Sequence, residues 1–175
     1  LWQAWLKVRY AKDIDEINSR YGTKYQSFSD VRLSASLPAN EPEQSDWLKF
    51  MRESLPLHYL KVTGGEIEYQ GYLQAKYGEI ANLNKFYRTG YRNFTEIPLL
   101  QLNNGRVGDI IISDWGEFIR LKLSPVYMEA ETSDNIYREF LRKKYGELTK
   151  INEVYGTSCN DWRSIAAPYR ESDLT

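Results

Sequence analysis

A single histidine, His58, and a single cysteine, Cys159, bound the nucleophilic chemistry open to this chain. A serine or cysteine activated by imidazole would have to use His58, and no positioned nucleophile is signalled around it. His58 is therefore expected to be a surface or partly packed residue. One cysteine can form neither an intrachain disulfide nor a cysteine-based metal site, and packing is its expected role. The 24 acidic residues include close pairs, Asp13 with Asp15 and Glu129 with Glu131. These read as solvated helix faces or caps, because paired-carboxylate hydrolysis needs two acids brought together across a cleft from distant parts of a fold. The sequence has no Gly-rich phosphate loop, no calcium-type oxygen cluster and no nucleophile elbow. No catalytic residue, cofactor or metal site is expected.

Amides and hydroxyls are the other polar groups that stand out, because they recur. Asn18, Asn84 and Asn152 occupy one position of a repeat, and Thr23, Thr89 and Thr157 another. Such a pair could hydrogen-bond the hydroxyls of a sugar, which makes the three asparagines candidate ligand contacts. It could equally hold a turn by bonding to backbone groups, and the structural role is the expected one. Aromatics recur too, as Tyr10/Tyr77/Tyr145, Tyr21/Tyr87/Tyr155 and Trp47/Trp115, and are expected to pack between helices. Trp2 and Phe86, read as outside the repeat register, are the expected exposed stacking surfaces.

The elements that must position these residues follow from the repeat itself. Tyr72-Leu73, Tyr77-Gly78, Leu83-Asn84, Tyr87, Thr89, Tyr91, Phe94 and Ile97 return as Phe140-Leu141, Tyr145-Gly146, Ile151-Asn152, Tyr155, Thr157, Cys159, Trp162 and Ile165, at a constant separation of 68 residues. A third copy opens the chain through Trp5-Leu6, Tyr10, Asn18, Tyr21, Thr23 and Tyr25, with one extra residue near Lys12-Asp13, where the other copies have glycine. A second element, Ser45-Asp46-Trp47 with Phe50, Arg52 and Leu55, matches Ser113-Asp114-Trp115 with Phe118, Arg120 and Leu123; Ser172-Asp173-Leu174 is a short candidate for another example. One helical-repeat domain is expected over 1–175, with units of about 1–62, 63–130 and an incomplete 131–175. The last unit lacks a full Asp-Trp element, so its face is expected to be uncapped.

Apolar spacing at Tyr69, Tyr72, Leu73 and Tyr77, and again at Tyr137, Phe140, Leu141 and Tyr145, predicts a helix. Gly78 and Gly146 would end it in a left-handed residue, and a short second helix through Ile80 and Leu83 completes a hairpin. Thr63 with Glu66 has capping-box spacing, and Ser133 or Asp134 could cap the last copy. Asp46 and Asp114 are read as caps of a third helix with a buried stripe of Trp47, Phe50, Met51 and Leu55. Pro56 and Pro125 end or kink it. Leu57 to Val62, Val126 to Ala130 and Val107 to Ile112 are short strand candidates. The expected fold is mainly α, with tandem helical repeats and small extended pieces, each repeat stacking on the next.

Composition narrows the partners. With 23 basic against 24 acidic residues mixed along the chain, there is no electrostatic footprint for nucleic acid. The longest apolar stretches fall far short of the ~20 residues that cross a bilayer. The start at Leu1 suggests a piece excised or processed from a longer protein, whose other parts could be membrane-embedded.

The unit written through Tyr77-Gly78, Leu83-Asn84, Tyr155-Gly156-Thr157 and Ile97-Pro98 resembles a helical segment in the catalytic barrel of family 42 β-galactosidases, and the Asp-Trp-x2-Phe element resembles that family's next helix. There the segment follows an Asn-Glu pair bearing the acid/base carboxylate. No such pair precedes any copy here, so the family's catalytic residues carry over to no position. Tandem copies also look like the extra domain of some bacterial carbohydrate ABC-transporter permeases. That resemblance implies a non-catalytic, extracytoplasmic domain contacting sugar or a solute-binding protein. The alternatives are a fragment or accessory region of a family 42-like glycoside hydrolase, and a general protein-interaction repeat.

Overall fold

The computed structural model of the chain describes residues 1–100 and 107–168. Ser172-Asp173-Leu174 lies outside the described residues. The fold is mainly α, with eight helices and two short strands among the described residues. These divide into two compact units, residues 1–130 and residues from 131 onward.

The first unit holds two copies of one pattern. Helices α1 (Trp2–Arg9) and α2 (Ile14–Tyr21) form a hairpin, followed by a 3-10 turn at Phe28–Asp30, helix α3 (Glu41–Glu53), a second 3-10 turn at Leu57–Tyr59 and strand β1 (Leu60–Val62). Helices α4 (Glu66–Tyr77) and α5 (Ile80–Tyr87), the turn at Phe94–Glu96, α6 (Asp109–Leu121), the turn at Pro125–Tyr127 and β2 (Met128–Ala130) repeat it. Gly78 ends α4 at φ +71°, a positive φ that glycine adopts without a Cβ clash. In the first copy two consecutive residues, Ala11 and Lys12, take positive φ at this corner, which accounts for the extra residue. The stripe is buried as its spacing predicts: Trp47, Phe50 and Met51 of α3, and Leu55 just beyond it, all lie in the core.

Three local expectations give way to other solutions. Helix α4 begins behind Gly65, itself left-handed, and the Thr63 hydroxyl donates to the carbonyl of Tyr127 instead of capping. Val107 to Ile112 is no strand: Gly108 is the N-cap of α6, which starts at Asp109, so the isoleucines enter a helix. Asp46 and Asp114 cap nothing; they lie five residues inside α3 and α6 and are buried.

The two copies of the first unit meet through α3 against α6 and through β1 against β2. The strands are antiparallel, with Leu60 opposite Ala130, Lys61 opposite Glu129 and Val62 opposite Met128. One repeat length relates Leu60 to Met128, Lys61 to Glu129 and Val62 to Ala130. Leu60 therefore faces the equivalent of Val62, and Val62 the equivalent of Leu60, which is the reciprocal pairing of a two-fold axis. Arg52 of α3 donates to the carbonyl of Leu123, while its equivalent Arg120 donates to the carbonyl of Arg52. These two repeats face one another across this axis.

The second unit holds helices α7 (Ser133–Tyr145) and α8 (Leu148–Tyr155) and a 3-10 turn at Trp162–Ser164. Thr132, not Ser133 or Asp134, is the N-cap of α7, accepting from the amide of Asn135. Asp134 is buried and accepts from the amide of Ala167. Leu141, Ile151 and Ile165 form the core, with Tyr137, Tyr145, Leu148, Cys159 and Trp162 packed around it.

Candidate functional site

The recurring asparagines are built into turns. The side-chain oxygen of Asn84 accepts from the Thr89 hydroxyl at 2.9 Å and the Tyr91 amide at 3.0 Å, and its amide nitrogen donates to the Tyr91 carbonyl at 2.8 Å. Asn18 makes the same three bonds with Thr23 and Tyr25, and Asn152 makes them with Thr157 and Cys159. Both lone pairs of each amide oxygen are thus engaged. As ligand contacts Asn18, Asn84 and Asn152 are corrected: their polar groups hold the exit from the second helix of each hairpin. Cys159 takes part through its backbone, and its half-buried side chain packs against the second unit's core as Tyr25 and Tyr91 pack against the first unit's.

The buried carboxylates are a second recurring construction. In the middle copy, Asp114 accepts from the hydroxyl of Tyr77 at 2.6 Å and of Tyr87 at 2.7 Å, and the ammonium of Lys76 lies 3.0 Å away. In the first copy, Asp46 accepts from the hydroxyls of Tyr10 and of Tyr21, the latter at 2.8 Å, and from the Nε of Arg9 at 2.6 Å. A carboxylate taken out of water needs such donors, since a bare buried charge costs several kcal/mol. The cluster works in both directions. Burial, then the hydrogen bond to Asp114, drives the Tyr87 hydroxyl well above its ordinary value of 10, and Tyr21 is raised by burial and Asp46 in the same way. The hydrogen bonds to Glu117 and Tyr72 are the main causes that raise Lys76. The recurrence of Tyr, Tyr and a cation beside each Asp was the available signal for this site, and reading the aspartates as caps obscured it.

Aromatic packing completes each cluster. Phe118 of α6 lies 5.0 Å from Tyr69 and 5.7 Å from Tyr72, and Tyr69 also meets Trp115 edge-on at 4.9 Å. Phe50 of α3 meets Trp2 at 5.0 Å and Trp5 at 5.8 Å. Trp2 is therefore in register, equivalent to Tyr69 and Tyr137. The expectation that Trp2 is an exposed stacking surface is corrected: only 6% of it is accessible. Trp47 and Trp115 are buried, as packing residues should be, and the Trp47 indole donates to the carbonyl of Ser34 at 2.9 Å.

Phe86 lies at the edge of the middle cluster, its ring 5.7 Å from that of Tyr77. It is 54% exposed and forms part of a cleft of about 500 Å³ with Lys85, Tyr87, Arg88, Gly108, Asp109, Ile110 and Ile111. That volume lies within the range of small-molecule sites. The cleft presents the exposed part of the Phe86 ring, two cations and one carboxylate. His58 is exposed, with its ring 4.0 Å from that of Tyr59. Among the described residues no group of three or more His, Cys, Asp or Glu is placed to hold a metal ion, and no helix is long and apolar enough to cross a membrane. No family model, no curated protein and no solved structure matches the chain.

Proposed function

We propose that this chain is a non-catalytic interaction domain whose ligand-facing surface is the cleft beside Phe86. The observation that carries this reading is the exposed Phe86 ring, flanked by Lys85, Arg88 and Asp109. The recurring asparagines, tyrosines and aspartates, by contrast, are engaged in holding turns and helices together. The resemblance of the repeat to sugar-handling proteins supplies the ligand class: a sugar, or the solute-binding protein that delivers one to a bacterial uptake permease. An extracytoplasmic position belongs to the same proposal.

Titration of the labelled chain with galactose, lactose and maltose, followed by backbone and aromatic NMR shifts, tests it. Shifts confined to Phe86, Arg88 and Asp109, lost in Phe86→Ala, are the expected result. Absence of any shift with sugars rules out the sugar. Absence of any shift with solute-binding proteins encoded beside the parent gene as well overturns the reading.

A further inference from the structure

The three hairpins are alike, and among the described residues two of them meet a carboxylate. Tyr10 and Tyr21 meet Asp46, and Tyr77 and Tyr87 meet Asp114. The third hairpin repeats the receiving half in full: Tyr137, Phe140, Lys144, Tyr145 and Tyr155 stand in register with Tyr69, Tyr72, Lys76, Tyr77 and Tyr87.

The side chains of this third face are disposed as in the covered ones. The hydroxyls of Tyr145 and Tyr155 lie 3.4 Å apart and bond to one another, with ring centroids at 6.0 Å, against 5.7 Å between Tyr77 and Tyr87. Lys144 lies over the rings of Phe140 and Tyr145, as Lys76 lies over Tyr72 and Arg9 over Trp5. What differs is cover. Tyr155 is 50% exposed where Tyr87 is 8% exposed, and Phe140 is 53% exposed where Tyr72 is half-buried under Phe118.

We infer that the face formed by Tyr137, Phe140, Lys144, Tyr145 and Tyr155 is a docking site for an Asp-Trp-x2-Phe helix from outside residues 1–168. Charge complementarity and the two occupied copies fix the chemistry of this partner. It must bring an aspartate to two hydroxyls and an ammonium, and four residues further on a phenylalanine to the Tyr137 and Phe140 rings. A second copy of this chain does not serve, because its own Asp46-Trp47 and Asp114-Trp115 are buried in their hairpins' cores. The inference names one partner within the interaction-domain reading and uses residues remote in sequence from Phe86, so either can fail alone.

The test titrates the full chain with a peptide of residues 107–124, the α6 sequence, reading the NMR signals of Tyr145 and Tyr155. Saturable 1:1 binding is expected, with both hydroxyls protected, and with affinity roughly ten- to a hundredfold weaker for the peptide carrying Asp114→Asn. In the Tyr145→Phe/Tyr155→Phe chain the two peptides should bind alike. Because a free peptide must also order itself, the same sequence is separately tethered behind Thr175 by a flexible linker. Tethering should raise the melting temperature of the second unit, and less so with Asp114→Asn. Equal binding of both peptides, concentration-dependent dimerisation of the chain alone, or a tether that moves neither tyrosine overturns the inference.

Discussion

At the scale of residues, part of the stability of the first unit comes from tyrosine hydroxyls held protonated against a buried carboxylate. Tyr21 and Tyr87 are raised by burial and by Asp46 or Asp114, and Tyr69 is pushed up to about 12, chiefly by burial. In the unfolded chain these hydroxyls ionise from their ordinary value of 10. Above that pH the unfolded state binds fewer protons than the folded one. The stabilising contribution is complete below pH 10 and is lost as pH rises toward the folded-state value, by up to about 1.4 kcal/mol per pH unit for each such tyrosine. Denaturant titrations at neutral and alkaline pH should show this loss. Tyr87→Phe should make the alkaline slope shallower and cost roughly 1.5–3 kcal/mol at neutral pH, since Asp114 loses a donor. An unchanged alkaline slope would contradict the assignment.

At the scale of elements, the second helix of each hairpin ends the same way but with unequal ease. Gly22 and Gly156 end α2 and α8 at φ +70° and +64°, whereas Arg88 ends α5 at +57°. A side chain there costs about 1 kcal/mol or more, partly offset by the freedom glycine has when unfolded. Arg88→Gly is expected to stabilise the first unit by several tenths of a kcal/mol to about 1 kcal/mol, and thermal melting at fixed pH checks the sign. This corner was legible in the sequence, because Tyr155-Gly156-Thr157 aligns with Tyr87-Arg88-Thr89 and each Asn lies three residues before the corner's tyrosine. The role of Asp46 and Asp114 was not legible in the same way. An aspartate ahead of Trp and an apolar stripe has the local signature of a cap, and the tyrosines that claim it lie 25 to 37 residues away. Val107 to Ile112 misleads for a related reason: β-branched composition suggests a strand, but burial of Trp115, Phe118 and Ile119 at helical spacing decides.

At the scale of the whole molecule, the two compact units have cores of very different size. The first buries Trp47, Trp115, Tyr69, Phe50 and Phe118 among many others, while the second buries Leu141, Ile151 and Ile165 with a partly covered rim. Small units bury a smaller share of their surface and are marginal on that account. Denaturation should therefore proceed in two steps, with Trp162, packed on the small core, reporting the earlier one. Comparison with Trp162→Phe separates the steps by fluorescence: the early step should vanish from that variant's signal, and a single transition in the unaltered chain would contradict it. Repetition was plain from a constant offset of 68 residues, but an offset states only which residues are equivalent. Whether two copies follow one another or face one another depends on contacts that no offset contains.

The antiparallel strands give that facing arrangement a further meaning. Lys61 sits opposite Glu129, its own equivalent, so the pair lies on the axis relating the two copies. In a dimer of identical chains such a position meets itself, and any charge placed there confronts its like. Joined in one polypeptide, the two positions are free to diverge. The Lys61–Glu129 pair, with ammonium and carboxylate 3.9 Å apart, is a solution open to a fused pair of repeats and closed to a symmetric one.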